Sequence, residues 1–132
     1  MGPILPDEEL SRYLFESGKF AATKGRVKPG AFVPAKNGKT SVFRTFGMLE
    51  AQNWELGETV AREVQRTLLA RAEVHASKVP APLRIEPSEP PPRHANLIAW
   101  PESRDEQLML ALQIAEEARL FLKPTRNVET PR

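Results

Sequence analysis

A chain of 132 residues fits one domain, and its 40% apolar content is enough for a single hydrophobic core. It carries no cysteine, which excludes disulfides, thiolate metal sites and thiol catalysis, and no apolar run approaches the roughly 20 residues that a membrane span needs. Net charge is only +2, but it is segregated: from Gly18 to Leu49 there are seven basic residues (Lys19, Lys24, Arg26, Lys28, Lys36, Lys39, Arg44) and no acidic one, which leaves the rest of the chain acid-rich.

The opening Met1-Gly2-Pro3-Ile4-Leu5-Pro6 lacks the basic region and apolar core of a secretory leader, so a cytoplasmic protein is expected. Pro6-Asp7-Glu8-Glu9 reads as a helix start. Asp7 suits the N-cap, the glutamates favour the positive helix end, and Leu10, Tyr13 and Leu14 form one stripe. Ser17-Gly18 ends it, and the stretch to Gly30 reads as a basic loop. Residues 31–46 predict a β-hairpin, because Asn37-Gly38 accepts the positive φ angles of a tight turn; Pro34 limits its first arm to an edge strand. A helix is expected between Leu49 and Arg66, from Leu56, Val60 and Val64, with Gly57 weakening its first turn.

From Leu68 to Ala76 the period changes to two, which predicts a half-buried strand, and Ala81, Leu83 and Ile85 alternate in the same way. The 13 prolines, about twice the usual share, stiffen connections, above all Pro90-Pro91-Pro92. Ala95 to Trp100 is apolar on both faces and predicts a buried strand at the sheet centre. Ser103-Arg104-Asp105-Glu106 supplies a capping box for a helix running to about Leu122. Its apolar surface is wide enough to cover the sheet and meet something else. Pro124 stops it, and residues 124–132 are expected to be a mobile tail.

Chemical motifs are few. Gly38-Lys39-Thr40 resembles the end of a phosphate-binding loop, but Val33 stands where a glycine is required, and a strand follows where a helix should begin. His94, beside Arg93 at the start of the buried strand, suits acid–base work or anion binding; the competing reading is a histidine bonded to backbone. His75 and His94 lie far apart and make no zinc pattern. Trp54 and Trp100 read as core anchors, and Glu116-Glu117 as a solvated face.

The expected architecture is one α+β domain over residues 1–123: a small, mostly antiparallel sheet of four or five short strands, with three helices, the C-terminal one packed on the sheet. The expected function is a non-catalytic interaction module that binds a larger or acidic protein, or a second copy of itself, through the basic segment 18–49. The residues in view are Lys24, Arg26, Lys28, Lys36, Lys39, Arg44 and Arg93. Nucleic-acid binding by the same segment is the first alternative, since Phe20, Phe32, Phe43 and Phe46 are interleaved with its cations. A small enzyme centred on His94 is the second. No cofactor or metal is implied.

Overall fold

The computed structural model describes residues 1–124; the tail expected from Thr125 onward lies outside them. The elements are β1 (Glu9–Leu14), β2 (Phe20–Ala21), β3 (Arg26–Val27), β4 (Thr40–Arg44), α1 (Glu50–Val64), β5 (Ala70–His75), β6 (Arg84–Pro87), β7 (His94–Ile98), α2 (Arg104–Glu117) and β8 (Arg119–Leu122). Six strands form one antiparallel sheet in the order β6-β7-β4-β1-β5-β8, and β2 and β3 pair as a separate ribbon. The α+β class is as expected, but the detail is corrected. The sheet has six strands rather than four or five, a ribbon is added, and two α-helices stand where three were expected.

Three local departures account for the difference. The N-terminal segment is the strand β1: Leu10 and Leu14 turn to one face, Tyr13 to the other, and all six residues pair with β5 from Glu9↔His75 to Leu14↔Ala70. Pairing in the middle of a sheet overrides a helical spacing of only three residues. The C-terminal helix stops at Glu117; Ala118 is extended, and Arg119–Leu122 pairs with β5 as an edge strand. The Asn37-Gly38 turn exists, with Gly38 at φ 79°, an Ala35 N–H to Lys39 O bond of 3.0 Å and a Lys39 N–H to Asn37 Oδ1 bond of 3.0 Å. Its first arm is no strand, because Pro29–Ala31 forms a short 3-10 turn, and β4 instead pairs with β1 and β7.

Other expectations hold in part. β5 occupies the alternating stretch, although both its faces are buried. β7 buries Ala95, Asn96 and Leu97, but lies one place in from the edge, with β4 and β1 at the middle. β6 begins at Arg84, later than its alternation suggested. Ser103 Oγ accepts the Glu106 N–H at 3.3 Å and caps α2. Trp100 lies past the end of β7 and donates its indole N–H to Leu97 O at 3.2 Å. Among the described residues no helix is long and apolar enough to cross a membrane.

The sheet is a middle layer. On one face Leu10, Leu14, Val42, Ala72, Val74 and Leu97 meet Ala111, Ile114 and Ala115 of α2 together with Ala31 and Phe32. On the other, Tyr13 and Phe43 lie under Trp54 and Ala61 of α1, joined by Leu68. Gly57 sits at this second contact, where an added Cβ would lie 2.8 Å from Tyr13 Cε1 and 2.9 Å from Leu68 Cδ2. The glycine that weakens the helix in sequence terms is what lets it approach β1. Gly57→Ala is therefore expected to destabilise the fold by about 1–3 kcal/mol through overpacking, despite a helix-propensity gain of about 1 kcal/mol; urea denaturation measures the balance, and a stabilised variant would contradict the close contact.

Candidate functional site

β1 pairs with β4 only at Leu10↔Arg44 and Ser11↔Phe43, against six paired residues with β5. Past Ser11 the two strands separate. The chain leaves the end of β1, makes the excursion that carries the ribbon, and returns as β4. Arg12 bridges the gap: its Nε donates to Ala31 O at 2.8 Å and its Nη1 to Ser41 O at 2.9 Å, so a side chain takes the place of missing ladder bonds. No carboxylate among the described residues pairs with Arg12, and burial alone pushes its guanidinium pKa down. Beside it opens a cleft of about 480 Å³, walled by Tyr13, Leu14, Phe15, Val33, Pro34 and Val64, with Glu16, Lys19 and Arg66 also lining it.

The residues expected to bind do not share one surface. Lys24, Arg26 and Lys28 are exposed on the ribbon and line a second cleft, of about 450 Å³, against Leu112, Ala115 and Glu116 of α2. Lys36 and Lys39 are exposed on the turn before β4. Arg44 is not a surface residue: it is 2% exposed and fork-bonded to Glu8, Nε to Oε1 at 2.8 Å and Nη2 to Oε2 at 2.6 Å. Its counter-ion comes from outside segment 18–49, which is why the segment looked unpaired. Arg93, at φ 71°, donates Nη1 to Arg44 O at 2.8 Å and borders a shallow depression with Met48, Gln52 and Arg62.

His94 acquires a partner that the sequence hid. Its Nδ1 lies 3.1 Å from Ser88 O, an atom that can only accept, so Nδ1 carries the proton. In the neutral ring Nε2 then accepts from Ser41 Oγ at 2.7 Å. Asn96 faces Ser41 across the β4–β7 ladder on the same side, and the Phe43 ring stands edge-on to the imidazole at 5.2 Å. This is a hydroxyl and a base in hydrogen-bond reach, but the group behind His94 is a backbone carbonyl rather than a carboxylate. Ser41 is not visible as a partner in sequence, because it lies 53 positions from His94. His75 is exposed, with Nδ1 3.2 Å from Asp7 O. Among the described residues no three His, Asp or Glu side chains are grouped to hold a metal ion.

Under α1 lies a buried polar chain. Ser11 Oγ and Thr45 Oγ1 bond at 2.7 Å, and Asn53 Nδ2 reaches Ser11 Oγ and Glu73 Oε2, each at 3.3 Å. Tyr13 donates its hydroxyl to Asn53 Oδ1 at 2.6 Å, and burial pushes its pKa up, which keeps it a neutral donor. Arg71 continues the chain, with Nε to Glu73 at 2.7 Å and two bonds to Glu50. No buried side-chain polar atom among the described residues lacks a partner, so this layer is complete in itself and offers no ligand a vacant group.

Comparison with known proteins adds no assignment: no family model matches the sequence, and neither a curated protein nor a solved structure matches it.

The Arg44 hydrogen bond is the first cause that holds the Glu8 carboxyl below its usual range, and the Arg71 hydrogen bond does the same for Glu50. A carboxyl held low in the folded state stabilises fully above its unfolded pKa, about 4.3 for glutamate, and loses that contribution as pH falls through the folded value. Stability is thus expected to drop as pH is lowered below about 4. Glu8→Gln, which leaves Arg44 buried and unpaired, is expected to cost about 3–5 kcal/mol at pH 7 and to reduce the acid slope; denaturant titrations from pH 7 to 3 check both.

Proposed function

We propose that this chain is a non-catalytic binding module for an acidic protein partner, engaged by the ribbon β2–β3 and the adjoining flank of α2. One observation carries the reading. Lys24, Arg26 and Lys28 are exposed, none is paired with a carboxylate among the described residues, and they border the same cleft as Leu112. Leu108 and Met109, one turn before Leu112, are exposed as well. Cations beside an apolar patch suit a protein surface that brings carboxylates and aliphatic groups together; the charges steer the encounter and the patch supplies burial. Nucleic acid is the poorer fit. Phe32 and Phe43 are in the core, Phe20 packs against it from the ribbon, and the exposed Phe46 lies beyond β4, so no ring platform accompanies the ribbon cations.

A second reading rests on the Ser41–His94 bond. Ser41 Oγ would attack an acyl carbon while its proton passes to His94 Nε2; the tetrahedral adduct would then collapse, breaking the bond to the leaving group, which would depart with that proton and leave Ser41 acylated. It predicts that a fluorophosphonate probe labels Ser41 and that His94→Ala abolishes labelling while the fold survives; an unlabelled, folded wild type removes it. The same bond already has a structural use, tying β7 to β4.

For the binding reading, fluorescence anisotropy with a Glu/Leu-rich peptide and with a mixed oligonucleotide pool separates the alternatives. The peptide is expected to bind, to weaken as salt rises, and to lose about tenfold in affinity with Lys24→Glu plus Lys28→Glu. Leu112→Asp is expected to weaken it too. Binding of the oligonucleotides alone would overturn the protein-partner reading.

A further inference from the structure

We propose that the cleft at the open half of β1 seats a carboxylate from an extended acidic segment of the partner, and that Arg12 receives it. This rests on the binding reading above and gives it a second, specific site.

Charge points there first. Arg12 is partly buried and has no carboxylate partner among the described residues, whereas Arg44 and Arg71 each have one or two. Glu16, the acid of the cleft, is already held by Lys19 at 3.6 Å and Arg66 at 3.1 Å. Arg12, Lys19 and Arg66 against Glu16 therefore leave the cleft with an excess of positive charge, and a cation away from bulk water gains most from an anion that fits it.

The donor geometry agrees. Bonds to Ala31 O and Ser41 O hold the guanidinium plane through Nε and Nη1, so little side-chain entropy remains to be lost on binding. Nη2 has no partner among the described residues, and since no buried polar side-chain atom is unpaired, Nη2 is not sealed from solvent, in a side chain that lines the cleft. The shape selects the ligand. Tyr13 pairs with Arg71 of β5 on one side and has no β4 partner on the other, so the place beside it is that of an absent strand. Phe15, Val33, Pro34 and Val64 make the walls apolar, and a volume of about 480 Å³ suits a short stretch of chain. A carboxylate flanked by aliphatic groups fits these walls; a bare inorganic anion leaves them wet.

Nuclear magnetic resonance of the labelled chain tests this with a six-residue peptide alternating Glu and Val, and with inorganic phosphate. The peptide is expected to shift the Arg12 Nε–H signal and the amides of Tyr13, Leu14 and Phe15. Val33→Glu, which puts a competing carboxylate at the cleft without touching the Arg12 bonds, is expected to weaken peptide binding about tenfold, as is Arg12→Gln once thermal melting shows it folded. Peptide shifts confined to Lys24–Lys28 would leave the binding reading standing and overturn the cleft. No peptide shift anywhere would sink both. Phosphate shifting Arg12 as strongly as the peptide would overturn the peptide seat, and so would wild-type affinity in Val33→Glu.

Discussion

An inner strand needs a neighbour on each side, and β1 has one complete neighbour and one partial one. β5 runs beside all of it, while β4 stays with it for two residues. The tied end is held firmly: Thr45 N–H bonds Glu9 O at 3.1 Å, and the Glu8–Arg44 fork closes the same end from the side chains. The other end is open, and the excursion between Leu14 and Thr40 leaves and returns through it. Ribbon, lysine-bearing turn and Arg12 cleft all follow from that one divergence. A β4 paired with β1 along its full length would leave no room for Arg12 to reach Ala31 O and Ser41 O.

The two helices meet different faces of the sheet, and the two faces differ in chemistry. Beneath α2 the sheet contact is apolar, Leu, Val and Ala against Ala and Ile, with the polar groups of that face, Arg12, Thr40 and Arg44, bonded off to carbonyls or to Glu8. The α1 face is mixed, with Arg71 held between Trp54 at 4.6 Å and Phe121 at 4.3 Å while its donors go to Glu50 and Glu73. Removing so many charges from water costs several kcal/mol per ion, and the arrangement recovers it only in one geometry. Arg71 touches α1, β5 and β8 together. A shift of any one of them would strand a buried charge, so the layer fixes relative position as much as it adds stability.

That mixed layer also sets what could be read from sequence. Residues 68–76 announced a strand because Arg71 and Glu73 alternate with Ala70, Ala72 and Val74; the inference that the polar side faces water failed, since the polar residues satisfy one another beneath α1. In β1 the same effect did damage. Ser11 and Arg12 are inward or bridging polar groups, so the strand period was masked and the accidental spacing of Leu10, Tyr13 and Leu14 imitated a helix. Residues 119–122 continued the spacing of α2 and were absorbed into it, although their partner strand lies about 50 positions earlier. Capping at Ser103 and the helix near residue 50 were legible because local contacts determine them. The Ser41–His94 pair and the Arg12 cleft were not, because each exists only after distant segments meet.

Arginines and lysines have been sorted by what their heads can do. Arg12, Arg44, Arg71 and Arg93 all send guanidinium donors to carbonyls or carboxylates inside the fold, which suits a planar group with several fixed N–H bonds and weak hydration. In the basic segment Lys24, Lys28, Lys36 and Lys39 stay outside, with Arg26 the one arginine among them. Net charge along the chain counts both kinds alike and so overstates the surface field of residues 18–49. It also overlooks Arg12, which lies before the segment begins. The relevant quantity is the number of cations that the fold leaves without an anion, and by that measure the open charges of segment 18–49 among the described residues are Lys24, Arg26 and Lys28 on the ribbon and Lys36 and Lys39 on the turn, with Arg12 a further one before the segment begins.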